Sequence, residues 1–223
     1  MPFANRADAG RRLAEVLSAE LTAGSDCVVL ALPRGGLPVA AEIATALGAP
    51  LDLLLVRKIG VPYQPELAMG AVAEGSPLLV ERDAETMRLA GVSMAEFGEI
   101  LGQESREIER RRHLYLQGRS RVPLEGTTVI VVDDGLATGS TARAALRAAR
   151  RQGPRRLVLA VPVAATRSLA AMRDEADAVV CLEDHEPFYA IGAYYSDFEQ
   201  LSDGDVREIL ARFPSPPQRE SPG

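Results

Sequence analysis

The chain has no tryptophan, two cysteines and two histidines in 223 residues, and aromatic residues make up only 4% of it. Two cysteines are too few for a disulfide framework, and Cys27 and Cys181 each sit inside an apolar strand pattern, so both read as buried thiols. A basic excess is missing as well. Lys and Arg total 25 against 31 Asp and Glu, and the net charge of −6 argues against nucleic-acid binding, which needs a basic footprint. No apolar run is long enough to span a bilayer. Met1–Arg12 carries no apolar signal segment, so the expectation is a cytoplasmic protein with no membrane partner. What the chain does have is a hydrophobic content of 47%, ample for a core, and a length that allows one large domain or two small ones.

Strand and helix patterns alternate along the sequence. Helical spacing runs through Asn5–Leu21, Leu37–Leu47, Asp83–Ala90, Ser93–Gln117, Thr141–Gln152, Ala165–Asp174 and Ser202–Phe213. Ser93-Met-Ala-Glu96 reads as a capping box and Gly91 as a helix stop. Strand patterns fall at Cys27–Leu32, Leu51–Val56, Ala68–Glu74, Pro77–Val80, Val129–Val132, Arg156–Val161 and Ala178–Leu182. Ile59–Leu67 has two prolines and no periodicity and is read as a loop. There is no internal repeat and no domain linker. The expectation is a single α/β domain over 1–213, with a mostly parallel β-sheet flanked by helices and right-handed crossovers. Residues 214–223 are rich in Pro and Ser and read as a disordered tail.

Val129–Thr141 is the most informative stretch. Four β-branched residues, Val129-Ile-Val-Val132, form a strand pattern suited to burial on both faces. Asp133 and Asp134 follow where that strand ends. A turn of small and hydroxylated residues, Ala137-Thr-Gly-Ser-Thr141, then runs into a helix. Backbone N–H groups and hydroxyls at a helix N-terminus suit a phosphate dianion. Carboxylates accept hydrogen bonds and suit the hydroxyls of a sugar, or a metal. A ligand with vicinal hydroxyls beside a phosphate fits both halves, as a ribose 5-phosphate does. The turn matches neither a Walker A loop nor a Gly-x-Gly-x-x-Gly turn.

At these residues the chain resembles the type I phosphoribosyltransferases, with Gly135 the loosest fit. The resemblance implies that Asp133 and Asp134 hold the ribose hydroxyls of phosphoribosyl pyrophosphate (PRPP). It implies that Ala137, Thr138, Gly139, Ser140 and Thr141 wrap the 5′-phosphate. Leu32-Pro33-Arg34-Gly35-Gly36, again between a strand and a helix, looks like the family's pyrophosphate loop. Arg34, Gly35 and Gly36 are then pyrophosphate-binding, and the Pro33–Arg34 peptide is expected to be cis. Arg57 and Lys58 stand where the family places basic residues that touch the diphosphate. Gly60–Glu66 stands where the family has a loop closing over the site, with Tyr63 and Glu66 as contacts on closure. The catalytic set is Asp133, Asp134, Arg57 and Lys58. Mg²⁺ would bind mainly through PRPP and waters, with Asp133 and Asp134 as the protein carboxylates.

Two segments depart from the minimal family core. Residues 83–121 form a helical insertion ending in Arg110-Arg111-Arg112. It reads either as a solvated, ion-paired helix or as a cap or dimer arm carrying arginines toward the diphosphate. Residues 183–201 hold five of the ten aromatics and stand where the family has a base-binding hood. Phe188 is the stacking candidate, with Asp184 and Tyr194 as further base contacts. These rings equally suit a small satellite core. The implied activity is transfer of a phosphoribosyl group from PRPP to a nucleobase-like nitrogen acceptor. The alternative is a non-catalytic sensor of PRPP or a nucleotide, and a third reading is hydrolysis or transfer of the diphosphate. Ala137 cannot accept a hydrogen bond where 6-oxopurine enzymes carry Asp, which favours adenine or an unrelated acceptor. Overall the chain looks most like a bacterial group of phosphoribosyltransferase-domain proteins with no settled acceptor.

Overall fold

The computed structural model describes residues 2–20, 26–75 and 77–214, with no account of the Glu66 side chain. The tail reading therefore falls almost wholly outside the described residues. The first helix, α1, spans Arg6–Glu20; strand β1 (Cys27–Ala31) and helix α2 (Gly36–Leu47) follow, then β2 (Leu51–Leu53). β3 (Val56–Val61), β4 (Gln64–Ala73) and β5 (Leu79–Arg82) precede helices α3 (Ala84–Ala90) and α4 (Met94–Leu116). The remaining core is β6 (Thr128–Val132), α5 (Ser140–Arg150), β7 (Arg156–Ala165), α6 (Thr166–Met172) and β8 (Ala178–His185). A short 3₁₀ turn at Ile191–Tyr194 and helix α7 (Asp203–Ala211) complete the described residues.

Five strands form a parallel sheet in the order β2-β1-β6-β7-β8, which is the expected fold class. Its central strand β6 is apolar from Val129 to Val132 because both faces of the sheet are covered. Val129, Ile130, Val131 and Val132 are all 0% exposed. Leu13, Leu37, Ile43 and Val206 fill one face, and Leu136, Leu146 and Met172 the other. The strand order reverses between β1 and β6, so the loops leaving these two strands emerge side by side. Ligands of open α/β sheets bind at such a switch point.

The structure corrects two readings of the 51–67 region. Leu51–Val56 is not one strand. β2 ends at Leu53, and Val56 opens β3 in a separate antiparallel sheet of order β3-β4-β5. Arg57 and Lys58 thus stand near the beginning of a strand rather than at the end of one. Ile59–Leu67 is not a loop either: β3 and β4 form a hairpin turning at Pro62-Tyr63. Pro65 is tolerated because β5 pairs only with Gly70–Ala73, leaving that part of β4 an edge, and the register shifts beside it. Tyr63 donates its hydroxyl to Ala90 O, docking the hairpin tip on the end of α3.

The insertion is anchored at both ends. Ser93 and Glu96 form the expected capping box, and Gly91 ends α3 at φ 66°. Beyond α4, Arg121 links the two sheets, with Nε 3.1 Å from Asp52 Oδ2 and Nη2 2.9 Å from Glu74 Oε1. Asp52 is 3% exposed and also accepts from the N–H groups of Leu53 and Val122, so its buried charge is fully partnered.

Candidate active site

β1 delivers Pro33-Arg34-Gly35-Gly36 beside the Asp133-Asp134 pair delivered by β6. The Pro33–Arg34 peptide is cis, as the resemblance implied. Both glycines are needed for close approach rather than for positive φ. A Cβ on Gly35 would strike the Asp134 carboxylate, and one on Gly36 would lie 2.6 Å from Val132 O. The Gly36 N–H is engaged within the loop, donating to Leu32 O at 3.0 Å.

Asp134 is 7% exposed, and its charge is met by a residue that the sequence reading did not single out. Arg6, at the start of α1, brings Nε to 2.8 Å from Asp134 Oδ2. Arg6 also donates from Nη1 to Glu199 O at 2.9 Å and lies 3.8 Å above the Phe198 ring centroid, a cation–π contact. Tyr195 donates its hydroxyl to the main-chain oxygen of Asp134 at 2.6 Å. Burial, and then the Asp134 charge, push the Asp133 carboxyl well above the usual carboxylate range. Burial also pushes Asp134 up, and Arg6 pulls it back. Arg6 could not have been found from a local pattern: 128 residues separate it from Asp134.

The phosphate-type turn lies at the start of α5. Gly139 adopts φ 79° and Ser140 opens the helix, so the first N–H groups of α5 have no intrahelical acceptor. Thr138 Oγ1 and Ser140 Oγ lie 3.2 Å apart, and Ser168 donates to Ala137 O at 2.5 Å. Gly135, the loosest match to the family pattern, has a physical reason: a Cβ there would lie 2.7 Å from Ile191 Cγ2 in the 3₁₀ turn.

A cleft of about 460 Å³ opens beside Asp134. Arg34, Gly35, Arg57 and Arg111 line it together with Arg6, Phe198, Gln200 and Leu201. Arg34, Arg57 and Arg111 each have a carboxylate partner. Arg34 lies 3.6 Å from Asp203, Arg57 Nε 2.6 Å from Glu104, and Arg111 Nε 2.6 Å from Glu107. Asp203 additionally takes the Tyr115 hydroxyl and Arg110. Lys58 lines a neighbouring cavity of about 660 Å³ between the hairpin and α4, which shares Arg57 with the cleft. Among the described residues, no group of three or more His, Cys, Asp or Glu side chains is placed to hold a metal ion. A metal here would need most of its ligands from a substrate and from water.

The three base-contact candidates stand apart from this cleft. Phe188 stacks on Tyr194 at 5.0 Å between ring centroids, and Tyr194 on His185 at 4.4 Å. Asp184 accepts from Thr166 at 2.7 Å. The hood aromatic lining the cleft is Phe198. Phe3 and Tyr195 pack together in a satellite core that stitches the N-terminal segment to the hood.

The model of the phosphoribosyl transferase domain family matches residues 3–199. Two Mycobacterium tuberculosis proteins, each named "Putative phosphoribosyl transferase", are 45% identical over 210 residues, 94% of this chain. The chain spans 46% of their length, so it matches about half of each. The crystal structure of TT1426 from Thermus thermophilus superposes with a TM-score of 0.80 at 39% identity, covering 96% of this chain and all of that one. A Neisseria gonorrhoeae protein, solved with bound ppGpp, shares the fold at a TM-score of 0.51 and 14% identity, with 95% of this chain and 94% of that one covered. No helix among the described residues is long and apolar enough to cross a membrane. With its parallel sheet, the acidic pair and small-residue turn after β6, and this family match, the chain belongs to the phosphoribosyl transferase domain family.

Proposed function

We propose that this chain transfers the phosphoribosyl group of PRPP to a nitrogen acceptor and releases diphosphate. The observation that carries this reading is the contact of Asp134 with Gly35. It brings a diol-accepting carboxylate against an arginine-bearing glycine loop, inside one cleft. Asp133 and Asp134 accept hydrogen bonds from the ribose 2′- and 3′-hydroxyls. Ala137–Thr141 receive the 5′-phosphate at the N-terminus of α5. Arg34 and Arg57 face the diphosphate, and Lys58 attracts it from the adjoining cavity.

In the reaction the bond from the anomeric carbon to the diphosphate oxygen breaks, and its electron pair leaves with the diphosphate. The acceptor nitrogen forms the new bond, and its proton passes to solvent. Positive charge develops on the ribose as in other glycosyl transfers, so the carboxylates that hold its hydroxyls favour the transition state. Mg²⁺ bound to the diphosphate would neutralise the leaving group, and Asp133 and Asp134 are the carboxylates that would help to hold it. The acceptor enters the cleft beside Phe198 and Gln200, and Ala137 favours adenine or an unrelated acceptor over a 6-oxopurine.

The test is Mg²⁺-dependent diphosphate release from PRPP across a panel of nucleobases and related amines. Release with one acceptor, well above the acceptor-free background, is the expected result. Equal release in every well would mean hydrolysis. Binding of PRPP without release would shift the assignment to the second reading, a non-catalytic PRPP or nucleotide sensor. The Neisseria protein of this fold, solved with ppGpp, supports that second reading.

A further inference from the structure

We infer that the helical insertion supplies a diphosphate-binding arginine, Arg111, to the cleft. This rests on the proposed PRPP reading and deepens it. Arg111 lies on α4, outside every segment that resembles the family's motifs. Its side chain is only 12% exposed, yet it lines the cleft with Arg34 and Arg57. A guanidinium that far removed from water must be met by negative charge. The charge on hand is shared. Glu107 accepts from both Arg110 and Arg111, and Asp203 pairs with both Arg34 and Arg110. Arg34, Arg57 and Arg111 line one cleft, and the carboxylates that hold Arg34 and Arg111 are each shared with Arg110.

The pairing also fixes the geometry. Glu107 holds Arg111 at Nε, and a guanidinium held there can present its two terminal nitrogens as a fork, the arrangement that suits bidentate phosphate recognition. Two adjacent paired arginines hold the Glu107 carboxyl down at about 2, so it stays charged and keeps Arg111 in place at any working pH. Asp203 ties Arg34 to the same network from the first turn of α7. The diphosphate wall is thus assembled from the β1 loop, β3 and α4.

The experiment is calorimetric titration of the full chain with inorganic diphosphate, ribose 5-phosphate and PRPP, for wild type, Arg111→Lys and Arg111→Gln. Removing one charged hydrogen-bonding group should weaken diphosphate and PRPP by about ten- to a hundredfold in Arg111→Gln. Ribose 5-phosphate should bind as in wild type, and Arg111→Lys should recover part of the loss. Unchanged diphosphate affinity in Arg111→Gln, with wild type binding PRPP, would overturn the assignment while sparing the proposed function. Equal loss of diphosphate and ribose 5-phosphate would make Arg111 a structural residue and overturn it too. Failure of wild type to bind either PRPP or diphosphate would remove the PRPP reading and this inference together.

Discussion

The two halves of the proposed site are built in opposite ways. The proposed ribose and phosphate half is written in consecutive residues, Asp133 to Thr141, at one strand-to-helix junction, and Asp134 brings it to the cleft. The proposed diphosphate wall draws Arg34 from the β1 loop, Arg57 from β3 and Arg111 from α4, and Asp203 of α7 braces it. A junction of this kind dictates its own geometry, because a buried parallel strand must end in polar residues and a helix must begin with unsatisfied N–H groups. A wall assembled across the chain exists only once the sheets and helices have packed. The first half depends on local sequence, and the second on the integrity of the fold.

The largest effect is expected from Asp134, where the two halves touch. Asp134→Asn should weaken ribose 5-phosphate by about a hundredfold or more, through loss of a charged acceptor. It should also destabilise the fold by about 3 kcal/mol, because Arg6 keeps its charge without its partner. Unchanged affinity for ribose 5-phosphate would sink the assignment of the acidic pair. Gly35→Ala comes next. Its Cβ would press on the Asp134 carboxylate, and overpacking of this kind costs about 1–3 kcal/mol. Thermal unfolding should show that loss, and diphosphate binding should weaken with it. A variant with wild-type stability and affinity would mean that the two loops are not in contact.

Arg6→Met sharpens the comparison through pH. Burial raises both carboxyls of the pair, and Arg6 opposes this at both. The ionised form accepts the ribose hydroxyls, so affinity for ribose 5-phosphate should fall as pH drops through the raised values. Without Arg6 that fall should begin at higher pH. Stability has the opposite sign. A carboxyl raised in the fold contributes stability below its ordinary value and loses it as pH rises through the folded one. Arg6→Met should therefore gain stability on mild acidification relative to wild type. A pH profile superimposable on wild type would show that Arg6 does not tune the pair.

The smallest effect is expected at Gly98, on the solvent side of α4, where a Cβ would meet nothing within 4 Å. Gly98→Ala should stabilise the insertion by about 0.5–1 kcal/mol through helix propensity and leave diphosphate affinity unchanged. A change in affinity would mean that the insertion's stability, rather than Arg111, sets binding at the wall.

How much of this was legible in the sequence follows the same division. The alternation of strands and helices and the β6–α5 junction come from patterns a few residues long, and the cis Pro33–Arg34 peptide was implied by the family resemblance that such patterns carry. The 51–67 region was misread for a physical reason. Leu53–Val56 is apolar without a break, because Leu54 and Leu55 are buried where the chain passes from one sheet to the other. The two prolines that suggested a loop occupy a hairpin turn and an unpaired strand edge. Arg6 has no local signature, since its role depends on the N-terminal segment packing against the hood. The aromatic cluster was visible, but not which ring would face the cleft. Phe188 and Tyr194 stack on each other, whereas Phe198 sits beneath Arg6.

The most direct test of the central claim is a competition measurement on the wild-type chain: PRPP titrated in the presence of saturating ribose 5-phosphate, then of saturating diphosphate, with Mg²⁺ throughout. One cleft with two halves predicts saturable PRPP binding that each fragment displaces. The fragments themselves should bind together without excluding one another. PRPP binding that neither fragment displaces, or no PRPP binding at all, would contradict the assignment of this cleft.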